Sequence, residues 1–273
     1  LNIMVKSINH KMALDFAKNC LVGSNSGRHK LDMTKQKLLL LFIFVCAIWN
    51  SAKAQSYSIE SFEGQVVKIH LTEKTTQKSW YTAKLSCLTD SLFLADYNGV
   101  KEVHILGHQF LEIVYDGRGG SGFQSRNTLI LSVKKNKINV AILADSFGRA
   151  FGGDVDGSLY VVTFNIMGNN KSNFKLVAHI YDRHRSNSSP QKNYVRNKNV
   201  ILNFDSVRNI FYGTHKKVTR SFTIEDSKTQ QSNKQQISGS LPVIVIEPTY
   251  YYYIKGDWYK SGYDDNLFKG YYK

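Results

Sequence analysis

The sequence predicts an all-β fold: an antiparallel β-sandwich or barrel-like domain of about a dozen strands, following a cleaved signal peptide. Three observations carry this expectation. Apolar and polar residues alternate through most of residues 55–273, the pattern of strands buried on one face. Turn formers such as Asn98-Gly99, Gly119-Gly120, Asn136, Asp156-Gly157 and Gly168-Asn169 fall between the alternating runs. No stretch of 55–273 sustains a helical period over ten residues, which argues against alternating strands and helices.

The first element stands outside that fold. From Met33 the chain has a basic start (Lys35, Lys37), an apolar run Leu38–Trp49, and small residues Ala52 and Ala54 before Gln55. That is the layout of a signal peptide at 33–54, cut after Ala54. The apolar run has twelve residues, whereas a membrane-spanning helix needs about 20. Residues 1–32 lie upstream of this start and are read as a non-native extension; a cytoplasmic extension on an anchored protein is the alternative. Cleavage would leave an exported domain beginning at Gln55.

The strands follow in order. Val67-Ile69-Leu71, Tyr81–Cys87, Leu92-Leu94, Leu111-Ile113-Tyr115 and Leu129-Leu131-Val133 alternate cleanly. Ile138-Val140-Ile142, Leu159–Ile166, Phe174-Leu176-Ala178-Ile180, Val200-Leu202-Phe204, Val218-Phe222-Ile224 and Val243-Val245 complete the set. Residues 55–225 are thereby a β-rich core domain. Residues 226–240 carry one apolar side chain, Ile237, and read as a polar linker or long hairpin loop. Residues 241–273 hold a C-terminal strand and a tyrosine-rich tail, with eight of the sixteen tyrosines from Tyr250 onward. No internal repeat of fixed period is present, which demotes propellers and solenoids.

Charge and cysteine content narrow the function classes. Of 36 basic and 21 acidic residues, eight and two fall within 1–54, leaving a net +9 for residues 55–273. The clusters Lys134–Lys137 and His215–Lys217 are expected at turns, as solvated hairpin tips. Outside the cytoplasm a basic surface meets membrane surfaces, acidic glycans or other envelope polymers rather than nucleic acid. Cys87 is the one cysteine within 55–273, so an internal disulfide is excluded there. It sits on the apolar face of the Tyr81–Cys87 alternation and is expected to be buried, with no base nearby to make it a nucleophile.

Several constellations bear on chemistry. Gly117-Arg118-Gly119-Gly120-Ser121-Gly122 follows an apolar run, with Arg126 four residues further on. Successive glycines can form an anion-binding concavity that two arginines would clamp, although the stretch matches no nucleotide fingerprint and a hairpin connection is the simpler reading. Tyr and Trp in the tail (Tyr251, Tyr253, Trp258) offer rigid faces for stacking on sugars; a final strand whose aromatics cover the sheet is the plainer alternative. Gly152–Gly157 has carboxylates Asp154 and Asp156 two apart but lacks the terminal glutamate of a calcium loop, so a tight turn is expected. His104 and His108 would stand about 13 Å apart on a strand, too far for one zinc, and His179 and His184 would face opposite sides. No Gly-x-Ser-x-Gly elbow surrounds Ser146. No spacing pairs Glu102, Glu112, Asp116 or Asp145 for glycoside hydrolysis.

The expected protein is therefore an exported envelope or surface β-domain with a binding or structural role. It would be periplasmic, cell-surface or secreted, with a glycan or other envelope polymer as partner. The expected ligand-binding residues are Arg118, Gly119, Gly120, Arg126, Tyr251, Tyr253 and Trp258. No cofactor, metal or nucleic acid is expected, nor a stable membrane span once the signal is removed. A secreted hydrolase with a site near Gly117–Gly122, drawing on Arg118, Arg126 and Asp145, is the first alternative. An outer-membrane β-barrel is the second, although most runs fall short of the roughly nine to eleven residues such strands need. No feature specifies the oligomeric state.

Overall fold

The alternating runs become strands, and the chain arranges them in three sheets by simple meander. The structure, a computed structural model, describes residues 54–75, 81–94, 97–117, 120, 122–168, 173–225, 232–246, 249–261 and 267–270; the expected signal segment and residues 1–32 lie outside them. The first sheet has four antiparallel strands in sequence order: β1 (Ala54–Glu60), β2 (Val66–Thr75), β3 (Tyr81–Cys87) and β4 (Asp90–Leu94). The second has eight, again antiparallel and in sequence order. They are β5 (Val100–Leu106), β6 (Phe110–Asp116), β7 (Phe123–Lys134), β8 (Lys137–Ala150), β9 (Leu159–Met167), β10 (Lys175–His184), β11 (Tyr194–Asp205) and β12 (Ile210–Tyr212). The third is a closed five-stranded barrel of β13 (Thr214–Glu225), β14 (Ser232–Ile246), β15 (Thr249–Ile254), β16 (Asp257–Ser261) and β17 (Leu267–Gly270). Parallel pairing of β13 with β17, Thr223 to Leu267, closes it.

Alternation dictates which side chains make the core. Ile69, Leu71, Ala83, Leu85 and Cys87 of the four-stranded sheet are buried together with Phe110, Ile113, Leu129, Leu131, Leu176 and Leu202 of the eight-stranded sheet. Burying each large apolar side chain contributes roughly 1.5–3 kcal/mol. Burial pushes the Cys87 thiol above its ordinary pKa, with the Asp90 charge adding to the effect, as expected for an inert core cysteine. Phe62, in the turn after β1, packs on the eight-stranded sheet: its ring stacks on Phe204 at 5.5 Å and meets Phe110 edge-on at 5.8 Å. Its backbone N–H donates to Val133 O, 3.0 Å. Turn chemistry follows the sequence as well. Lys135 and Asn136 at the β7–β8 tip both have positive φ, 51° and 60°, as a two-residue type I′ hairpin requires.

The structure departs from the sequence reading in four places. Seventeen strands are present among the described residues, because alternation misses β1, β5 and β12 and does not divide the tail. His215–Lys217 lies inside β13 rather than at a turn, with Lys216 Nζ 4.9 Å from the Tyr250 ring centroid. Of the polar stretch 226–240, residues 232–240 belong to β14 and pair with β13 from Lys217 to Glu225; backbone pairing holds them, which alternation cannot reveal. Residues 226–231 lie outside the described residues.

The tyrosine tail is the fourth. Tyr251 and Tyr253 pack towards the main core, whereas Tyr250 and Tyr252 pack with Val218, Ile237, Val243 and Ile254 of the barrel. Consecutive tyrosines thus serve a strand covered on both faces. The expected aromatic strip does not form on Tyr251 or Trp258, each 1% exposed. The Tyr251 hydroxyl accepts the Asp145 N–H at 2.8 Å, and Trp258 Nε1–H donates to Val140 O at 3.1 Å. Both dock the barrel onto β8. Tyr253 is half-buried, edge-on to Trp258 at 5.3 Å.

Candidate functional site

A cleft of about 510 Å³ opens at one end of the eight-stranded sheet. No residue of the four-stranded sheet lines it; Thr249 and Lys260 of the barrel do. Its wall is a continuation of the core face into polar residues. On β10 the buried row Leu176-Ala178-Ile180 runs on to Asp182, which is also buried. On β9 the row Phe164-Val162 runs on to Tyr160. Register places Gly148, Tyr160, Asp182 and Arg196 side by side across β8, β9, β10 and β11, as one polar rung.

Asp145 joins that face, next to the rung, through a β-bulge. It is three residues from Gly148, so on a regular strand the two would face opposite sides. Asn127 pairs with Asp145 and Arg126 with Phe147, leaving Ser146 as an inserted residue. The insertion restores Asp145, with Asn127, to the face that carries Gly148 and Ser125. Bulges of this kind re-aim side chains near functional sites.

Each wall carboxylate has its own cation. Asp182 accepts from Arg196 Nη2 at 2.7 Å and from the Tyr194 hydroxyl at 3.1 Å. Asp145 is paired with Lys260 Nζ of the barrel. Burial, reinforced by the Asp145 and Asp182 charges and opposed by Arg196, pushes the Tyr160 hydroxyl far above the ordinary tyrosine range. Tyr160 therefore stays protonated and offers the cleft a donor. Aromatic surface frames the opening. The Phe123 ring, 51% exposed, lies over Gly148, where a Cβ would sit 3.3 Å from its Cζ. Tyr194 is stacked with His184 at 5.5 Å and has the Arg196 guanidinium over its ring, so it braces the wall. Gly117 forms part of the lining and leaves no room for a side chain, since a Cβ there would lie 2.6 Å from Ser125 Oγ.

The rim is tied by two loops. The Asp154 carboxylate accepts N–H of Ser188 at 2.5 Å and the Ser186 hydroxyl at 3.0 Å, while Asn187 N–H donates to Asp154 O at 2.7 Å. Hydrogen bonds from Ser188, then from Ser186 and Asn187, outweigh desolvation and hold Asp154 below the usual carboxylate range. Asp156 accepts Gly152 N–H at 2.9 Å. Gly152–Gly157 is thus a tight turn whose carboxylates are occupied. Among the described residues no group of three or more His, Cys, Asp or Glu is placed to hold a metal ion.

Of the residues expected from sequence, the structure brings Asp145 and the first glycine of Gly117–Gly122 into the cleft. Arg126 does not line it: its Nε donates to Asp116 at 3.1 Å and its guanidinium covers Phe147 at 4.6 Å. Gly120 is exposed, with nothing within 4 Å of the position a Cβ would take. Arg118 and Gly119 lie outside the described residues. His104 pairs with Glu112 at 3.1 Å on β5–β6, and burial raises the Glu112 pKa against that histidine; neither lines the cleft, nor does His108. Sequence reading missed Tyr160, Asp182, Arg183 and Phe123, and weighed His184 only as a zinc ligand. The one available signal was Asp182, a carboxylate where the β10 alternation calls for another apolar residue.

Fold and site together define a nearly all-antiparallel β-domain of three sheets with a polar, aromatic-edged cleft at the end of the largest. No protein-family model, curated protein or solved structure matches the chain.

Proposed function

We propose that the chain is an exported envelope or surface β-domain, an antiparallel sandwich with an appended barrel, whose cleft binds a saccharide of a glycan or envelope polymer. The observation that carries this reading is the pairing of Phe123, an exposed ring beside the cleft, with a wall of hydrogen-bonding groups at Asn127, Asp145, Tyr160 and Asp182. A sugar presents an apolar face and a rim of hydroxyls, and such a wall meets both. Export is supported by the signal-like segment 33–54 and by the position of β1: a cut after Ala54 removes only the first residue of that strand.

Phe123→Ala should weaken saccharide binding by about fivefold or more while leaving thermal stability nearly unchanged, since the ring is exposed. Calorimetric titration with oligosaccharides checks this, and equal affinity in the variant would remove the cleft from the reading. The hydrolase alternative draws on Asp145 with Arg118 and Arg126; the cleft offers it Asp182 as a second carboxylate, but each is held by a cation, whereas hydrolysis asks for a free acid and base flanking the bond. An outer-membrane barrel is disfavoured because the closed sheet has five strands, fewer than the eight of the smallest such barrels. No helix among the described residues is long and apolar enough to cross a membrane.

A further inference from the structure

The arginines whose side chains are described in residues 120–210 divide into two groups. Arg126, Arg196 and Arg208 each bind a carboxylate: Asp116 at 3.1 Å, Asp182 at 2.7 Å and Asp205 at 2.6 Å. Arg149, Arg183 and Arg185 have no carboxylate partner among the described residues; Arg183 lines the cleft, and the other two adjoin it in register or in sequence. Arg149 and Arg183 flank Leu159 on one rung of β8, β9 and β10, about 10 Å apart at ordinary strand spacing. Arg185 is two residues beyond Arg183, just past the end of β10. Arg183 and Leu159 line the cleft itself.

Local structure holds these guanidinium groups in place. Arg183 Nε–H donates to Gly157 O at 3.1 Å, leaving its terminal N–H groups for a ligand. The Arg185 side chain lies against Gly157 as well: a Cβ there would be 3.4 Å from Arg185 Cδ. Gly157 has φ +78° and admits both arms. Arg149 lies over the Phe151 ring at 4.7 Å. Solvated arginines scattered over a surface would show neither this grouping nor these anchors. Guanidinium forks match carboxylates and sulfates in geometry, and partial ordering lowers the entropy lost on binding.

We propose that the cleft selects an acidic saccharide, one bearing carboxylate or sulfate groups, with Arg183 as the anion-binding group of its lining and Arg149 and Arg185 as the cations beside it. The proposal rests on the saccharide reading above and names its substrate class. Asp145 and Asp182 do not oppose it, since Lys260 and Arg196 neutralise them.

The test is calorimetric titration of the full chain with a set of uronic-acid oligosaccharides, each matched by its carboxyl-reduced neutral counterpart. The acidic member of a pair should bind about tenfold or more tightly, with an advantage that shrinks as salt rises. Arg183→Gln with Arg185→Gln should abolish that advantage while neutral binding persists, which also reports that the variant is folded; Arg183→Lys with Arg185→Lys should keep part of it. Equal affinity for both members overturns the acidic preference and leaves the saccharide reading standing. Binding of no saccharide overturns both. Binding only to vesicles of anionic phospholipid assigns the arginines to a membrane surface and overturns the proposal. An acidic preference unchanged in the double glutamine variant overturns the assignment to these arginines.

Discussion

Asp145 takes its place in the cleft from neighbours that the sequence does not mark. The inserted Ser146 turns it to the rung face, Lys260 neutralises it, and the Tyr251 hydroxyl accepts its backbone N–H at 2.8 Å. Tyr251 was expected as a ligand-stacking aromatic, and its burial gives it this bracing part instead. Tyr251→Phe keeps the ring but removes the acceptor, leaving a part-buried amide without a partner. Such a loss costs about 1–3 kcal/mol, so the urea midpoint should fall accordingly. An unchanged midpoint would show that the hydrogen bond contributes nothing. Arg126 makes the same point from the other side: an arginine near a glycine-rich stretch suggests anion binding, yet Asp116 across the β6–β7 ladder already satisfies it.

The β8–β9 and β10–β11 loops behave as one element, because Asp154 on the first accepts hydrogen bonds from Ser186 and Ser188 on the second. Its pKa is lowered in the folded state. A lowered carboxylate contributes stability that is present above the unfolded pKa and is lost as pH falls through the folded value. The loop tie should therefore hold from neutral pH down to about 4, the ordinary Asp range, and loosen below it. Hydrogen exchange at the Ser188 amide reports this: protection should persist near neutrality, fade in acid, and be absent at every pH in Asp154→Ala. Protection in the variant equal to that of the parent would refute the tie. The element scale also shows what alternation sees. It finds β3 to the residue, because Ala83, Leu85 and Cys87 are fully buried in turn. It overlooks β5, whose side chains are mostly exposed, and the start of β14, held by main-chain pairing.

At the scale of the molecule, residues 52–273 form one compact unit, and the export reading places the mature start at its edge. Mass spectrometry of material recovered outside the cytoplasm should give Gln55 as the first residue; an intact chain retained with its apolar segment would count against export. The barrel contributes to the larger sheet rather than standing apart. Ile244, Ile246, Tyr251 and Trp258 enter the main core, and Lys260 and Thr249 complete the cleft. The barrel is thus part of the site through Thr249 and Lys260, by lining and charge balance.

By itself the sequence determined the all-β class, most strand positions, the main turns and the buried cysteine. Each of these follows from local alternation and the φ preferences of a few residues, which act over a handful of positions. Tertiary structure alone decided the division into three sheets, the closure of β13 on β17, and the company each polar side chain keeps. Gly148, Tyr160, Asp182 and Arg196 span almost fifty residues of chain, and hydrogen-bond register, set by bulges and turns, brings them onto one rung. Register is a long-range property: one inserted residue turns a side chain to the opposite face, and no local pattern in this chain marks Ser146 as that residue.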